Sequence, residues 1–235
     1  AMDQLYLRLG EFAGEDLRDI VFEALPLPPL GLSGREKSRY TYRLIQRMES
    51  IFEKSTTREI LNDCLRVLPD DLYHADQEIY HVGAQEDIDR YLVLKGQRFI
   101  ETLERHRDSG ELFFGQEIDN AVIDFVRSNP QIGQGVREGQ VILETKIPYN
   151  TKAYLSEEDP DRQRYHCCHC PWARESLQKR TFTVSATFCQ CSAGFHKKVY
   201  EILFDRPIHA EVLQSALQGD LVCQFAIYLP DDIPI

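Results

Sequence analysis

The chain has 235 residues, with 27 Lys and Arg against 38 Asp and Glu, and a formal net charge of −11. This length can bury a sizeable core in one large domain or two small ones. The acidic balance argues against a dedicated nucleic-acid-binding protein, which would be expected to present a basic face. No apolar run approaches the ~20 residues of a membrane-spanning helix, and no apolar segment near the start indicates export. We therefore expect a cytoplasmic protein whose partners include neither nucleic acid nor membrane.

Apolar residues recur at helical spacing over roughly the first half of the chain. Ser33 is a candidate cap for the second helix, and Thr56 or Thr57 for the third. Pro69 and Pro130 are predicted stops, and Gly110 ends the strongest helical pattern. We predict helices over residues 2–25, 35–55, 56–68, 85–110 and 118–130.

The pattern changes after Pro130. Apolar and polar residues alternate around Val141, Leu143 and Thr145, which predicts a strand. The β-branched and aromatic stretch 181–192 predicts another strand. A helix over 194–205 and two strands within 208–230, joined at Gly219 and Asp220, complete the predicted elements. We predict an α+β fold, in which N-terminal helices pack with a C-terminal antiparallel sheet that carries a crossing helix.

The change of pattern divides the chain into a mainly helical region, 1–130, and a cysteine-rich α+β region, 131–235. No Gly- or Ser-rich linker separates them, so one continuous domain is an equal alternative.

Cysteine is concentrated in the second region. Cys64 and Cys223 stand apart, whereas the other five lie close together: Cys167, Cys168, Cys170, Cys189 and Cys191. In a reducing compartment such clusters are more often metal ligands or catalytic thiols than disulfides. On a strand, Cys189 and Cys191 would point to the same face, and Cys168 and Cys170 repeat their spacing.

Two facing Cys-x-Cys pairs would form a tetrahedral thiolate site suited to Zn²⁺. The predicted ligands are Cys168, Cys170, Cys189 and Cys191, with Cys223 as a substitute and His166 or His169 as a source of nitrogen. An iron–sulfur cluster uses the same thiolates and stays open as an alternative.

Two other interpretations of the cysteines stay open, so the sequence leaves undecided whether the protein is an enzyme. If Pro171 opens a helix, Cys170 lies near its N-terminus, where His169 or Arg174 could lower the thiol pKa for a hydrolase or reductase. Alternatively, the thiols only pack as small apolar groups in an interaction module. His196, Lys197 and Lys198 are predicted to form a solvated helix face, with an anion contact as the alternative.

From about Cys189 onward, over some 40 residues, the chain resembles a 4-vinyl reductase-type small-molecule-binding domain. The resemblance lies in "SAGFHKKVYEILFDRP" (192–207) and "IHAEVLQSALQGDLVCQF" (208–225). Together with "HCCHCPWARES" (166–176), the arrangement is similar to uncharacterised bacterial proteins that resemble an amino-thiazoline carboxylate hydrolase.

The resemblance implies helices packed on an antiparallel sheet around a buried pocket for a small ligand. It also implies, for some members, a zinc ion held by cysteines and a glutamate near the final hairpin. Here Ser215 stands at the expected cysteine position, and Val212, beside Glu211, at the expected glutamate position. The predicted metal site therefore shifts to the cysteines at 168–191. We expect a sensor-like protein with a small-molecule ligand and zinc, with homodimer formation left open.

Overall fold

The computed structural model describes residues 2–64, 69–178 and 181–234. The helices in these ranges are α1 (Met2–Ala13), α2 (Glu15–Phe22), α3 (Gly34–Ile51), α4 (Lys54–Asp63), α5 (His74–Glu78), α6 (Ile88–Ser109), α7 (Asn120–Arg127), α8 (Thr151–Ser156), α9 (Pro160–Cys167), α10 (Glu175–Gln178) and α11 (Gln190–Phe204). The strands are β1 (Val136–Glu138), β2 (Val141–Thr145), β3 (His209–Gln214) and β4 (Gln224–Tyr228). Short 3₁₀ turns cover Asp70–Tyr73, Ala186–Cys189 and Ala216–Gln218, and a π-helical turn covers Ile79–Gly83.

The predicted N-terminal helices are present, with shifted boundaries. The capping prediction for α3 is confirmed: the Ser33 hydroxyl accepts from the Glu36 N–H, and the Glu36 carboxylate accepts from the Ser33 N–H. The predicted helix 2–25 is interrupted at Gly14, whose φ is +87°. The third helix begins at Lys54, so neither predicted threonine caps it. The end predicted for that helix, 65–68, lies outside the described residues.

The C-terminal sheet has four strands in the order β1-β2-β4-β3, and every neighbouring pair is antiparallel. Helix α11 packs against β3 and β4. The predicted α+β fold, with N-terminal helices and an antiparallel C-terminal sheet, is therefore confirmed. Gly219, with φ of +102°, lies in the connection between β3 and β4, as predicted for the hairpin.

The strand predicted over 181–192 is wrong. Residues 186–189 form a 3₁₀ turn, and α11 begins at Gln190. The Ser185 hydroxyl accepts from the Thr187 N–H and starts the turn, while both hydroxyls donate to the Glu49 carboxylate of α3. Tertiary contacts thus override the strand preference of the β-branched residues. The helix predicted from Pro171 also begins later, at Glu175.

Three apolar clusters form the core. The first joins α1–α4 to Ala173, Val184 and Phe188, and the second joins α6 and α11 to the sheet. The third lies between α6 and α7. Because each of these clusters contains residues from both sides of residue 130, the regions 1–130 and 131–235 share their packing. Within the described ranges, none of the helices combines the length and apolar character needed to cross a bilayer.

Gly194 lets α11 approach α4 closely. A Cβ atom at this position would lie 1.9 Å from the Asn62 carbonyl oxygen, which is backbone and cannot rotate away. At an unconstrained helix position, Gly→Ala stabilises by up to ~1 kcal/mol. We expect Gly194→Ala instead to lower the free energy of unfolding in urea by about 2–3 kcal/mol, because the helices must separate.

Gly10 in α1 provides the matched control. Its nearest neighbours belong to the flexible Arg18 side chain, so Gly10→Ala should leave stability unchanged or raise it. Equal stabilisation by both substitutions would contradict the close approach of α4 and α11.

Candidate functional site

Five cysteines from separate elements line one small cavity of about 30 Å³. Cys168 caps the end of α9, and Cys170 lies in the turn that follows. Cys189 ends a 3₁₀ turn, Cys191 lies in the first turn of α11, and Cys223 immediately precedes β4. The other lining residues are Lys146, His169, Ala173, Phe188, Ser192, Ser215, Leu217 and Phe225. All five cysteines that the sequence analysis proposed as ligands therefore line the same cavity.

The segment that follows β2 holds the cysteine-bearing pieces together. The Lys146 N–H donates to the Cys223 carbonyl (2.9 Å), and the Tyr149 N–H donates to the Cys167 carbonyl (3.2 Å). The N–H groups of Ala173 and Arg174 donate to the Cys170 carbonyl and fold its turn. The cavity thus depends on backbone hydrogen bonds between residues outside or at the ends of the regular helices and strands, because the polar backbone groups of such segments need partners.

Burial keeps most of the cavity thiols protonated. It raises the pKa of Cys170 and of Cys191 to about 12, and it also raises the pKa of Cys168 and Cys189. Cys223 differs, because the Cys167 thiol donates a hydrogen bond to its sulfur over 4.0 Å and lowers its pKa. Cys223 therefore loses its proton more readily than the other cavity cysteines.

Lys146 places a positive charge at the cavity. Its ammonium donates to the Ser192 hydroxyl over 3.1 Å. Its charge lowers the pKa of Cys168, Cys170 and Cys191, but burial raises the pKa of each by more. As the side chains stand in residues 2–64, 69–178 and 181–234, no group of three or more His, Cys, Asp or Glu is arranged to hold a metal ion. A metal would require the thiols to rotate inward.

Of the two histidines predicted as nitrogen ligands, His169 lines the cavity and His166 lines a surface depression beside α9. The His169 ring donates from Nε2 to the Ile147 carbonyl over 2.6 Å. Burial, with the charge of Lys146, lowers the pKa of His169 to about 4, so its ring is neutral at pH 7. Because Nε2 is hydrogen-bonded to the Ile147 carbonyl, only Nδ1 of His169 could coordinate a metal ion.

The surroundings of Cys170 do not favour a nucleophilic thiolate. The Arg174 guanidinium, predicted to lower its pKa, lies over the rings of Tyr149 (3.9 Å) and Tyr165 (5.1 Å). Burial raises the pKa of Cys170 to about 12, whereas a catalytic thiol needs a lowered one. The charge of Lys146 and the backbone hydrogen bonds from Trp172 and Ala173 lower the pKa of Cys170 by less than burial raises it, so the thiol-enzyme hypothesis stays a prediction.

The positions singled out by the resemblance separate in the structure. Ser215, at the expected cysteine position, lines the cavity and hydrogen-bonds Cys189. Glu211 is exposed, and its carboxylate accepts from the Tyr228 hydroxyl and the His209 ring. Val212 is half-buried against the second core. The cavity therefore has the serine but not the glutamate.

A buried polar network adjoins the cavity, and the sequence did not indicate it. Glu144 on β2 is 5% exposed. Lys95 and the Tyr200 hydroxyl donate to its Oε1, and His196 donates from Nδ1 to its Oε2 over 2.6 Å. Burial alone would raise the pKa of Glu144, but the charge of Lys95 and the His196 hydrogen bond more than offset it, so the pKa is lowered. The His196 ring stacks on Phe225 of the cavity wall, 4.4 Å between centroids.

The predicted solvated face at 196–198 is wrong. His196 belongs to the Glu144 network, and Lys197 is 4% exposed. The Lys197 ammonium pairs with Asp63 (2.7 Å) and Glu201 (3.1 Å), while Lys198 pairs with Asp70. These bases face inward because α11 is covered by α4 on one side and by the sheet on another.

A larger groove of about 770 Å³ runs between α4 and β3. Its walls include Arg58, Asn62, His209 and Glu211, and it reaches Gln190 next to the cysteine cavity. Small-molecule sites have volumes of roughly 300–1,000 Å³. The small-molecule ligand stays a prediction, as does a homodimer, and this groove has a suitable size for the ligand.

Comparison with known proteins places the chain in a family without assigning it an activity. The profile of a family of unknown function, DUF6144, matches residues 113–233, which is more than half of the chain and contains every cysteine except Cys64. No curated protein and no solved structure matched. The resemblance to 4-vinyl reductase-type domains stays a prediction. The chain belongs to the DUF6144 family.

Proposed function

We propose that this protein binds a thiophilic metal ion, Zn²⁺ in the first place, through the cysteines of the cavity. The observation that carries the proposal is the convergence of Cys168, Cys170, Cys189, Cys191 and Cys223 on one enclosed space. Thiolate sulfur is the preferred ligand of structural zinc sites. A tetrahedral site takes four of the five sulfurs, and Cys223 is one of the proposed four, because it loses its proton more readily than the others and the thiolate is the form that binds metal.

The size of the cavity supports an ion rather than an organic ligand. Its volume of about 30 Å³ is roughly a tenth of the smallest usual small-molecule pocket. Each cysteine has a single side-chain torsion to the sulfur, and inward rotation of the thiols would convert the packed arrangement into a coordinating one.

The charge around the cavity supports the same proposal. Four thiolates around Zn²⁺ carry a net charge of −2. Lys146 on the cavity wall provides a compensating positive charge, and His169 remains neutral and adds none. Ser192, which accepts from Lys146, fixes the position of the ammonium.

The position of the cavity indicates what a bound ion would do. Cys170 and Cys191 pack against the first core, whereas Cys223 packs against the second. An ion held by all three would join the N-terminal helices to the sheet. The groove reaches Gln190, which lies between Cys189 and Cys191, so a ligand in the groove would contact the same start of α11 that holds two of the proposed metal ligands.

Metal analysis of the full chain tests the proposal. Protein purified without added metal, and again after incubation with zinc and removal of excess, should contain about one equivalent of zinc. The Cys189→Ser/Cys191→Ser double variant should contain less than about a tenth of an equivalent, because two ligands are lost. Circular dichroism should show that the variant remains folded.

Cys64 provides the control, since it is buried near α4 but lies outside the cavity wall. Cys64→Ala should retain the full metal content. Iron together with inorganic sulfide would identify a cluster in place of zinc. Less than about a tenth of an equivalent of either metal in the folded wild type would reject metal binding and leave the cysteines as packing residues.

A further inference from the structure

We propose that Cys167 and Cys223 form a peroxide-sensitive thiol pair, and that their oxidation to a disulfide removes Cys223 from the metal site. The first half of this proposal concerns the two thiols alone. The second half rests on the proposed metal-binding function. Cys167 is not part of the ligand set predicted from the sequence, and it lies behind the cavity wall rather than on it.

The two sulfurs are already in contact. The Cys167 Sγ donates a hydrogen bond to the Cys223 Sγ at 4.0 Å. A disulfide bond is about 2.0 Å long, so the side chains must close roughly 2 Å. Cys167 ends α9 and Cys223 precedes β4, so the bridge would join a helix end to the start of a strand.

The backbones of both cysteines are held by one short segment. Lys146 donates to the Cys223 carbonyl and Tyr149, three residues later, donates to the Cys167 carbonyl. The two residues therefore cannot move apart without breaking these bonds, and we expect the sulfurs to approach each other by side-chain rotation. Such positioning makes the second sulfur available as soon as the first is oxidised.

Access distinguishes the roles of the two thiols. Cys223 is half-buried and follows the half-exposed connection from β3 to β4, whereas Cys167 is 1% exposed. A small oxidant arriving through this connection meets Cys223 first. Cys167, shielded behind it, is the resolving thiol.

The chemistry balances with hydrogen peroxide as the oxidant. The Cys223 sulfur attacks one peroxide oxygen, the O–O bond breaks, and the products are the Cys223 sulfenic acid and water. The Cys167 sulfur then attacks the Cys223 sulfur and displaces the hydroxyl, which leaves as a second water with the Cys167 proton. In total, two thiols and one peroxide give one disulfide and two waters, and the two sulfurs are oxidised.

The disulfide would change the metal site because a disulfide sulfur is no longer a thiolate ligand. Rotation of Cys223 toward Cys167 also turns its sulfur away from the cavity in which Cys168 and Cys189 remain. Reduction restores the thiol and the site. The pair thus couples oxidant exposure to metal occupancy.

The thiol pair is tested on the full chain without metal. Stoichiometric hydrogen peroxide should remove two hydrogens, and proteolysis should yield a peptide that links Cys167 to Cys223 and separates on reduction. Cys167→Ser should reduce the linked peptide to background and expose a sulfenic acid to dimedone at Cys223. Cys64→Ala should leave the yield of the linked peptide unchanged. Disulfides between other cysteines, or seven unreacted thiols, would overturn the proposal.

The metal consequence is tested on zinc-loaded protein. Peroxide should release the zinc, and dithiothreitol followed by zinc should restore the full content in the wild type. In Cys167→Ser, a second molecule of peroxide oxidises the unprotected sulfenic acid to the irreversible sulfinic acid and is reduced to water, so after excess peroxide zinc rebinding should fall at least about fivefold. Equal rebinding by both proteins would overturn the protective role of Cys167. A wild type that forms the disulfide but never bound zinc would reject the metal function and retain the thiol pair.

Discussion

Replacing Glu144 with glutamine is expected to lower the free energy of unfolding by about 3–5 kcal/mol. The carboxylate is buried and joins three elements, since it accepts from Lys95 on α6 and from His196 and Tyr200 on α11. Glutamine keeps the shape but removes the charge, so the partly buried Lys95 ammonium loses its counter-ion. Urea denaturation at pH 7 measures the loss as a lower midpoint with an unchanged slope.

Glu138 on β1 is exposed and serves as the matched control. Glu138→Gln should change stability by no more than about 0.5 kcal/mol. Adding Lys95→Met to Glu144→Gln should recover part of the loss, because the unpaired charge is then removed. If Glu144→Gln and Glu138→Gln behave alike, the network makes no net contribution to stability.

The same network predicts how stability depends on pH. The folded pKa of Glu144 lies below its ordinary value of 4.5. Its contribution is therefore fully present above about pH 4.5 and is lost as the pH falls toward the folded pKa, because the unfolded chain takes up the proton first. Glu144→Gln should flatten this part of the acid limb of the stability curve. A limb that is equally steep in the variant would assign the acid sensitivity to other groups.

Local signals made much of the fold predictable. Ser33 and Glu36 form the capping box within four residues, and Gly110 adopts φ of +72° at the end of α6. These features depend on the residues themselves and on near neighbours. The strand prediction for residues 181–192 was wrong because the structure of this stretch depends on Glu49, which lies more than 130 residues earlier.

The candidate site could be predicted from the sequence only in part. The five cysteines lie together, but not through the predicted pair of strand faces, since Cys189 ends a 3₁₀ turn and Cys191 lies in the first turn of a helix. Glu144 occupies the polar position of an alternating strand, which usually indicates solvent. Its partners Lys95 and His196 lie 49 and 52 residues away, and no local pattern indicates such contacts.

Zinc-loaded protein is expected to melt about 10 °C above chelator-stripped protein. An ion present at ~1,000 times its dissociation constant stabilises by about 4 kcal/mol, and 1 kcal/mol shifts the melting temperature of a chain this size by ~2–4 °C. The structural reason is the position of the ligands. Cys170 and Cys191 belong with the helical core, whereas Cys223 belongs with the core under the sheet, so a common ion adds a link between them.

Variants separate this link from general effects of zinc. The melting temperature of Cys189→Ser/Cys191→Ser should lie below that of the zinc-loaded wild type and should not change with zinc, because the set of four ligands is incomplete. Cys64→Ala loses some packing in the first core but should keep the full zinc-dependent shift, since Cys64 lies outside the cavity wall. A zinc-dependent shift that survives in the double variant would move the metal site away from the cavity. If the wild type holds zinc but its melting temperature does not rise, the ion does not link the two cores.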